Sequence, residues 1–138
     1  MAEHQLTYFG HSTWRLEAAN GQTVIFDPFL QPNPLTPEEL KDQDECDVLV
    51  LTHGHFDHTS DALDLCEKTG CQVLATFELG TILVQHGVEE EKVVLMNTGG
   101  TAELNGIRYT MVPAYHSSAT QFDDQLEYAG QPNGFVVE

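Results

Sequence analysis

The most constraining stretch is "DVLVLTHGHFDHTS", residues 47–60, where an aliphatic run ends in three histidines and an aspartate within six residues. Asp47–Thr52 is almost continuous Val and Leu, the composition of a strand buried on both faces. A strand of that kind needs cover on both sides. A loop leaving its end is anchored by the interior of the sheet, so polar side chains on that loop are held in place.

The flanking sequence supplies the rest of such a sheet. "HQLTYFG" (His4–Gly10), "STWRLEA" (Ser12–Ala18) and "QTVIFD" (Gln22–Asp27) read as strands, the last two joined by a turn at Asn20-Gly21, residues that both tolerate positive φ. A proline-rich loop follows, and inside it "TPEE" places Thr36 as N-cap, Pro37 at N1 and Glu39 at N3 of a short helix. Ser60 is positioned to cap a helix through "DALDLCEKT", which Gly70 ends. "QVLAT" is a second buried strand, "FELGTILVQHG" a helix ending at Gly87, and "KVVLM" (Lys92–Met96) a third strand. "TAEL-NG-IRYTMVP" is a hairpin about Asn105-Gly106, and "NGFVVE" a final strand with no evident partner. Hairpins followed by β-α-β-α-β units predict an α/β fold, a mixed β-sheet with helices on one face.

Length and charge narrow the class. The chain has 138 residues, the size of one domain with a real core. Acidic residues number 22 against 5 basic ones, a formal charge of −17 that repels phosphate backbones and excludes general nucleic-acid binding. Scattered acids with scarce lysine fit a salt-adapted surface as well as an ordinary acidic one. No apolar run is long enough to span a membrane. The opening "MAEHQLTYFG" lacks the basic start and apolar core of a signal peptide, so a cytoplasmic location is expected. Cys46, Cys66 and Cys71 form no CxxC pair and are odd in number, which predicts reduced, at least partly buried thiols.

The spacing of His53, His55, Asp57 and His58 is that of a metal site. If the segment stays extended, residues 53, 55 and 57 project to one side. His53 and His55 then share one ion, while Asp57 and His58 reach a second, and Gly54 lets the loop pack close. Imidazole with carboxylate suits zinc or another borderline divalent ion better than calcium or magnesium, with manganese or iron as alternatives. Catalytic zinc needs three protein ligands and an open position. The candidate third is His116 in "MVPAYHSS", on the loop after the second hairpin. Asp27, closing a strand just before Pro28, is a candidate carboxylate for orienting a ligand histidine. His11, in the turn "GHST", is a polar residue between two strands. His4 and His86 read as surface or helix-end residues.

With these residues in view, the chain resembles the metallo-β-lactamase superfamily, whose HxHxDH signature is matched by His53-Gly-His55-Phe-Asp57-His58. It is most similar to the branch of metal-dependent hydrolases related to ascorbate-phosphate lactonases, through "LTYFGHSTWRLE", "FDPFL", "NPLTPEEL", "LTHGHFDH", "MNTGGT" and "VPAYHSS" in that order. The resemblance implies that His53, His55 and His116 bind the first metal. Asp57 and His58 would contribute to the second, Asp27 would be the supporting aspartate, and His11 a pocket histidine. It implies an αββα sandwich of two similar halves, of which residues 1–138 correspond to the first half only, a single partial domain. The late Gly-Asp-Thr aspartate and final histidine of that family have no counterpart after Val137.

The expected function is therefore a metal-dependent hydrolase acting on a small-molecule ester, lactone or phosphoester, with Asp57 orienting the attacking water. The rival expectation is a non-catalytic metal-binding half-domain that needs self-association or a complementary C-terminal chain. A redox di-iron member of the superfamily would carry Glu where His55 stands.

Overall fold

A computed structural model describes residues 3–138; Met1 and Ala2 of the opening stretch lie outside the described residues. The main sheet has six strands in the order of the chain: β1 (Gln5–Gly10), β2 (Thr13–Glu17), β3 (Thr23–Phe26), β4 (Val48–Val50), β5 (Gln72–Thr76) and β6 (Val93–Met96). The first three pair antiparallel and β3 through β6 run parallel, so the sheet is mixed as expected. The parallel crossovers carry α2 (Ala62–Thr69) and α3 (Phe77–Gln85), preceded by the single turn α1 (Phe56–Thr59).

Alternate residues of the aliphatic strands serve two different cores. Ile25, Leu49, Leu51, Val73 and Ala75 face the helices, against Leu65, Leu79, Ile82 and Leu83. Val24, Val48, Val50 and Leu74 face the other way, onto Ile107, Tyr109 and Met111 of a second sheet. That two-sided burial is why the run Val48–Leu51 shows no polar alternation. The second sheet has the order β11 (Asn133–Val137), β8 (Ile107–Pro113), β7 (Thr101–Leu104), all antiparallel. The layers are therefore helix, sheet, sheet. "NGFVV" is not without a partner: it pairs with β8 from Asn133 opposite Pro113 to Val137 opposite Tyr109. A two-residue hairpin of β9 (Ala119–Thr120) and β10 (Glu127–Tyr128) completes the described strands.

Several local expectations are corrected by tertiary demands. Asn105 and Gly106 both take positive φ, but in the first hairpin only Gly21 does, while Asn20 stays out of the left-handed region. The two hairpin tips then bond each other, with the Asn20 amide donating to the Asn105 carbonyl at 2.9 Å. Thr36 caps no helix; its hydroxyl donates to Phe9 O at 2.7 Å, and only a 3-10 turn forms at Glu38–Leu40. Ser60 is the last-turn neighbour of α1, and α2 begins after Asp61. The Asp61 carboxylate caps neither helix, because it accepts the backbone N–H groups of Leu30 and Gln31. Gly70 does end α2, in the left-handed conformation. Among the described residues, Thr76 is the one helix N-cap whose side chain accepts a backbone N–H, that of Leu79 at the start of α3. Among the described residues no helix is long and apolar enough to cross a membrane. All three cysteines are free and buried, as expected.

Candidate metal centre

The centre is assembled at the carboxyl ends of neighbouring parallel strands, where open α/β sheets expose their crevices. Asp27 follows β3 directly, and Thr52 to His58 follow β4. The join between them is made by side chains. Asp27 is 3% exposed, and its Oδ1 accepts the backbone N–H of Thr52 at 2.8 Å. Its Oδ2 accepts from the Thr52 hydroxyl at 2.6 Å and from His58 Nδ1 at 2.8 Å. Asp27 and His11 are held at φ of 46° and 55°, a left-handed backbone rare for residues with a Cβ and concentrated at functional sites.

These bonds fix a tautomer. The Thr52 hydroxyl hydrogen goes to the carboxylate, so at 2.9 Å from His53 Nδ1 the Thr52 oxygen accepts the imidazole N–H. His53 Nε2 is then the nitrogen with a free lone pair, and it is buried with no hydrogen-bond partner. Around it stand the rings of His58, His55 and His116, with centroids 4.0, 4.7 and 4.8 Å away. His116, on the loop beyond β8, turns Nε2 to within 3.2 Å of His55 Nδ1. Burial first, then the neighbouring imidazoles His58, His55 and His116, push His53 down to about 3. Burial and His116 lower His55 as well. Both rings are kept as neutral imidazoles, the form that binds metal.

Two triads thus have ligating atoms within 4.8 Å of one another: His53, His55 and His116; and His11, Asp57 and His58. Asp27, His53 and His58 form a third such group, in which both Asp27 oxygens already accept hydrogen bonds from Thr52 or His58. An orphaned, buried imidazole nitrogen facing the imidazoles of His55 and His116 fits a divalent ion of borderline softness. In the second triad His11 Nε2 donates to Asp57 Oδ2 at 2.7 Å, and His58 Nε2 lies 3.8 Å from the same oxygen. Burial works to raise the Asp57 carboxyl, but the His11 bond and the nearby His58 outweigh it and hold the group below its ordinary value.

All seven residues singled out from the sequence come together here, with two changes of detail. The loop stays extended only as far as His55; α1 starts at Phe56, so the helical turn, not an extended segment, brings Asp57 and His58 round towards His11. The absent side chain of Gly54 makes room for protein rather than for ions. A Cβ there would lie 2.6 Å from Ala129 Cβ and 3.0 Å from Thr120 Cγ2. Gly54 N donates to Ser118 Oγ at 3.0 Å, which ties the cluster loop to the His116 loop. Thr52 and Ser118 join the centre without belonging to the histidine motif. A hydroxyl adjoining His53 at the end of a buried strand was the available signal for Thr52; nothing local marks Ser118. His4 and His86 are elsewhere, His86 closing α3 and bonding Asp123 at 2.9 Å.

Comparison with known proteins gives the family. Residues 22–138 match the model of the Beta-lactamase superfamily domain. A UPF0173 metal-dependent hydrolase of Rubrobacter xylanophilus is 43% identical over 135 residues, covering 97% of this chain and 55% of the relative. One from Koribacter versatilis is 37% identical, with 97% and 57% covered. Among solved structures, Igni18, a metallo hydrolase from the archaeon Ignicoccus hospitalis, superposes with a TM-score of 0.78 at 34% identity, over 98% of this chain and 55% of that one. The chain thus spans about half the length of the relatives it matches. The β-lactamase GOB-18 from Elizabethkingia meningoseptica, at 14% identity and a TM-score of 0.60, shares the fold. A family match over 117 residues, on the fold and histidine cluster described above, establishes that this chain belongs to the metallo-β-lactamase superfamily.

Proposed function

We propose that this chain carries the metal-binding part of a metal-dependent hydrolase, with zinc the ion best suited to its donors. The observation that carries the reading is His53 Nε2, buried and without a partner, at the meeting point of His55 and His116. His53, His55 and His116 would hold one ion; Asp57 and His58, with His11 beside them, would contribute to a second. The ions would supply Lewis acidity to a scissile carbonyl or phosphoryl oxygen and a water acidified towards neutral pH. Asp57, its Oδ2 held by His11, would orient the attacking water. Asp27 and Thr52 hold His58 and His53 in the required tautomers. The substrate class is a small ester, lactone or phosphoester, and a chain of charge −17 would not bind polyanions. Manganese and iron share the donor preference and are the alternatives to be separated by measurement. The test is metal content by mass spectrometry alongside hydrolysis of ester, lactone and phosphodiester panels. Metal uptake at one or two equivalents with turnover lost in His53→Ala supports the reading, and no uptake ends it.

A second reading, a metal-binding half-domain that needs a second copy or a complementary chain, is favoured by one feature. On the β1-β2 ribbon Leu6 is 59% exposed, Tyr8 52% and Trp14 38%, an apolar row beside the last strand covered by the second sheet. Light scattering separates the two: a monodisperse, active monomer sinks the half-domain reading.

A further inference from the structure

The three cysteines lie at the opposite end of the sheet from the histidines. Cys46 precedes β4 and Cys71 precedes β5, so both stand at the amino ends of parallel strands, and Cys66 is on the last turns of α2. All are buried in the helix-facing core, with exposures of 6%, 3% and 8% for Cys46, Cys71 and Cys66. The sulfurs of Cys66 and Cys71 are 3.8 Å apart, in van der Waals contact. The Cys46 thiol donates to Val48 O at 3.3 Å. Cys66 and Cys71 border one cleft of about 420 Å³, with Leu63, Glu67 and Val88, and Cys71 also borders a second of about 480 Å³. A small molecule thus has two approaches to Cys71, although little of its surface is open.

We propose that Cys66 and Cys71 are an oxidisable dithiol, a modification site for small hydroperoxides in which Cys71 is oxidised first and Cys66 resolves it. The Cys71 sulfur attacks a peroxide oxygen, the O–O bond breaks, and water leaves with the thiol proton, giving Cys71 sulfenic acid. The Cys66 sulfur then attacks the Cys71 sulfur, the S–O bond breaks, and the hydroxyl departs as a second water with the Cys66 proton. Two thiols and one hydrogen peroxide become one disulfide and two waters. The sulfurs must close by about 2 Å to reach bonding distance. The polarity of the pair agrees with this order. The thiols of Cys46 and Cys66 hold Cys71 below the ordinary thiol range and are themselves pushed above it. The product would staple the end of α2 to the start of β5, leaving the histidine cluster untouched.

The test uses the reduced full chain with one equivalent of hydrogen peroxide, quenched with catalase, then alkylated after unfolding. Alkylated thiols should fall threefold, from three to one, with the remaining label on Cys46. Trypsin cuts after Lys68, so peptide 42–68, which bears both Cys46 and Cys66, should stay joined to the Cys71 peptide until reduced, with fragmentation placing the alkyl label on Cys46. Cys46→Ala should retain the link, and Cys66→Ala should lose it while Cys71 accumulates as sulfenic acid. Three alkylated thiols after peroxide, or a link that runs through Cys46, would overturn the proposal. Should a variant fail to fold, the position of the alkyl label within peptide 42–68 of the unaltered chain, on Cys46 or on Cys66, decides alone.

Discussion

His58 Nδ1 donates to Asp27 Oδ2 across 2.8 Å, joining a residue at the end of β3 to one on the turn after β4. The same oxygen takes the Thr52 hydroxyl, and the other takes the Thr52 backbone N–H. One buried carboxylate therefore satisfies three donors and aims two imidazoles, His58 directly and His53 through Thr52. It does so at a φ of 46° that costs an aspartate less than a bulkier residue.

Replacing that carboxylate should damage both stability and the metal centre. Asp27→Ala leaves three buried donors unpaired and should lower the unfolding free energy by about 2–3 kcal/mol. It should also weaken metal binding by about 10–100-fold, since the rings lose their orientation. Urea unfolding and a competitive zinc titration read the two effects separately. An unchanged affinity would show that Asp27 serves the fold alone.

Thr52→Val keeps the shape of the side chain and removes only the oxygen that receives the His53 proton. The expected result is a loss of about tenfold in metal affinity, with Thr52→Ser restoring most of it. Equal affinities for the Val and Ser variants would mean that the His53 tautomer is set some other way.

The two ligand triads should respond independently. His116→Ala removes one of three imidazoles around His53 Nε2 and should cut affinity for the first ion by more than about 100-fold. His11→Ala should leave that ion in place and disturb only binding at Asp57 and His58. Stoichiometry and affinity by isothermal titration, run on both variants, give the comparison.

Acid should destabilise the metal-free protein in a defined window. His53 binds its proton at about 3 in the folded chain against an ordinary 6.5. Between those values the unfolded chain holds a proton that the folded one lacks, so stability falls as pH falls, by up to about 1.4 kcal/mol per unit. Asp57, also held low, adds to the loss below its ordinary 3.8. His86 is raised by the Ile82 carbonyl and then Asp123, so it acts in the opposite sense, above pH 6.5 only. Unfolding midpoints from pH 7 to pH 4 should drop steadily, and His53→Asn should flatten the slope.

Gly54 is a packing requirement. The Cβ of Gly54→Ala would stand 2.6 Å from Ala129 Cβ, a contact relieved only by backbone movement. A cost of about 1–3 kcal/mol is expected, together with displacement of His55 from His116. A thermal melt and a zinc titration on the same variant test whether the two losses travel together.

The sequence by itself determined the strands of the main sheet, both Asn-Gly hairpins, the main helices and the crowding of His53, His55, Asp57 and His58 into one loop, because each is written locally. Val48–Leu51 is aliphatic throughout since neighbours lie on both sides, and HxHxDH concentrates ligands in a single loop. What only the tertiary structure decided involves partners distant in the chain. Thr36 and Ser60 gave up their helix-capping roles because the Phe9 carbonyl and the Asp61 carboxylate took their hydroxyl hydrogens. "NGFVV" found its place on β8, twenty residues back, and Gly54 its reason in Ala129. Thr52 shows the limit most clearly: its hydroxyl matters only because folding sets Asp27 on one side of it and His53 on the other.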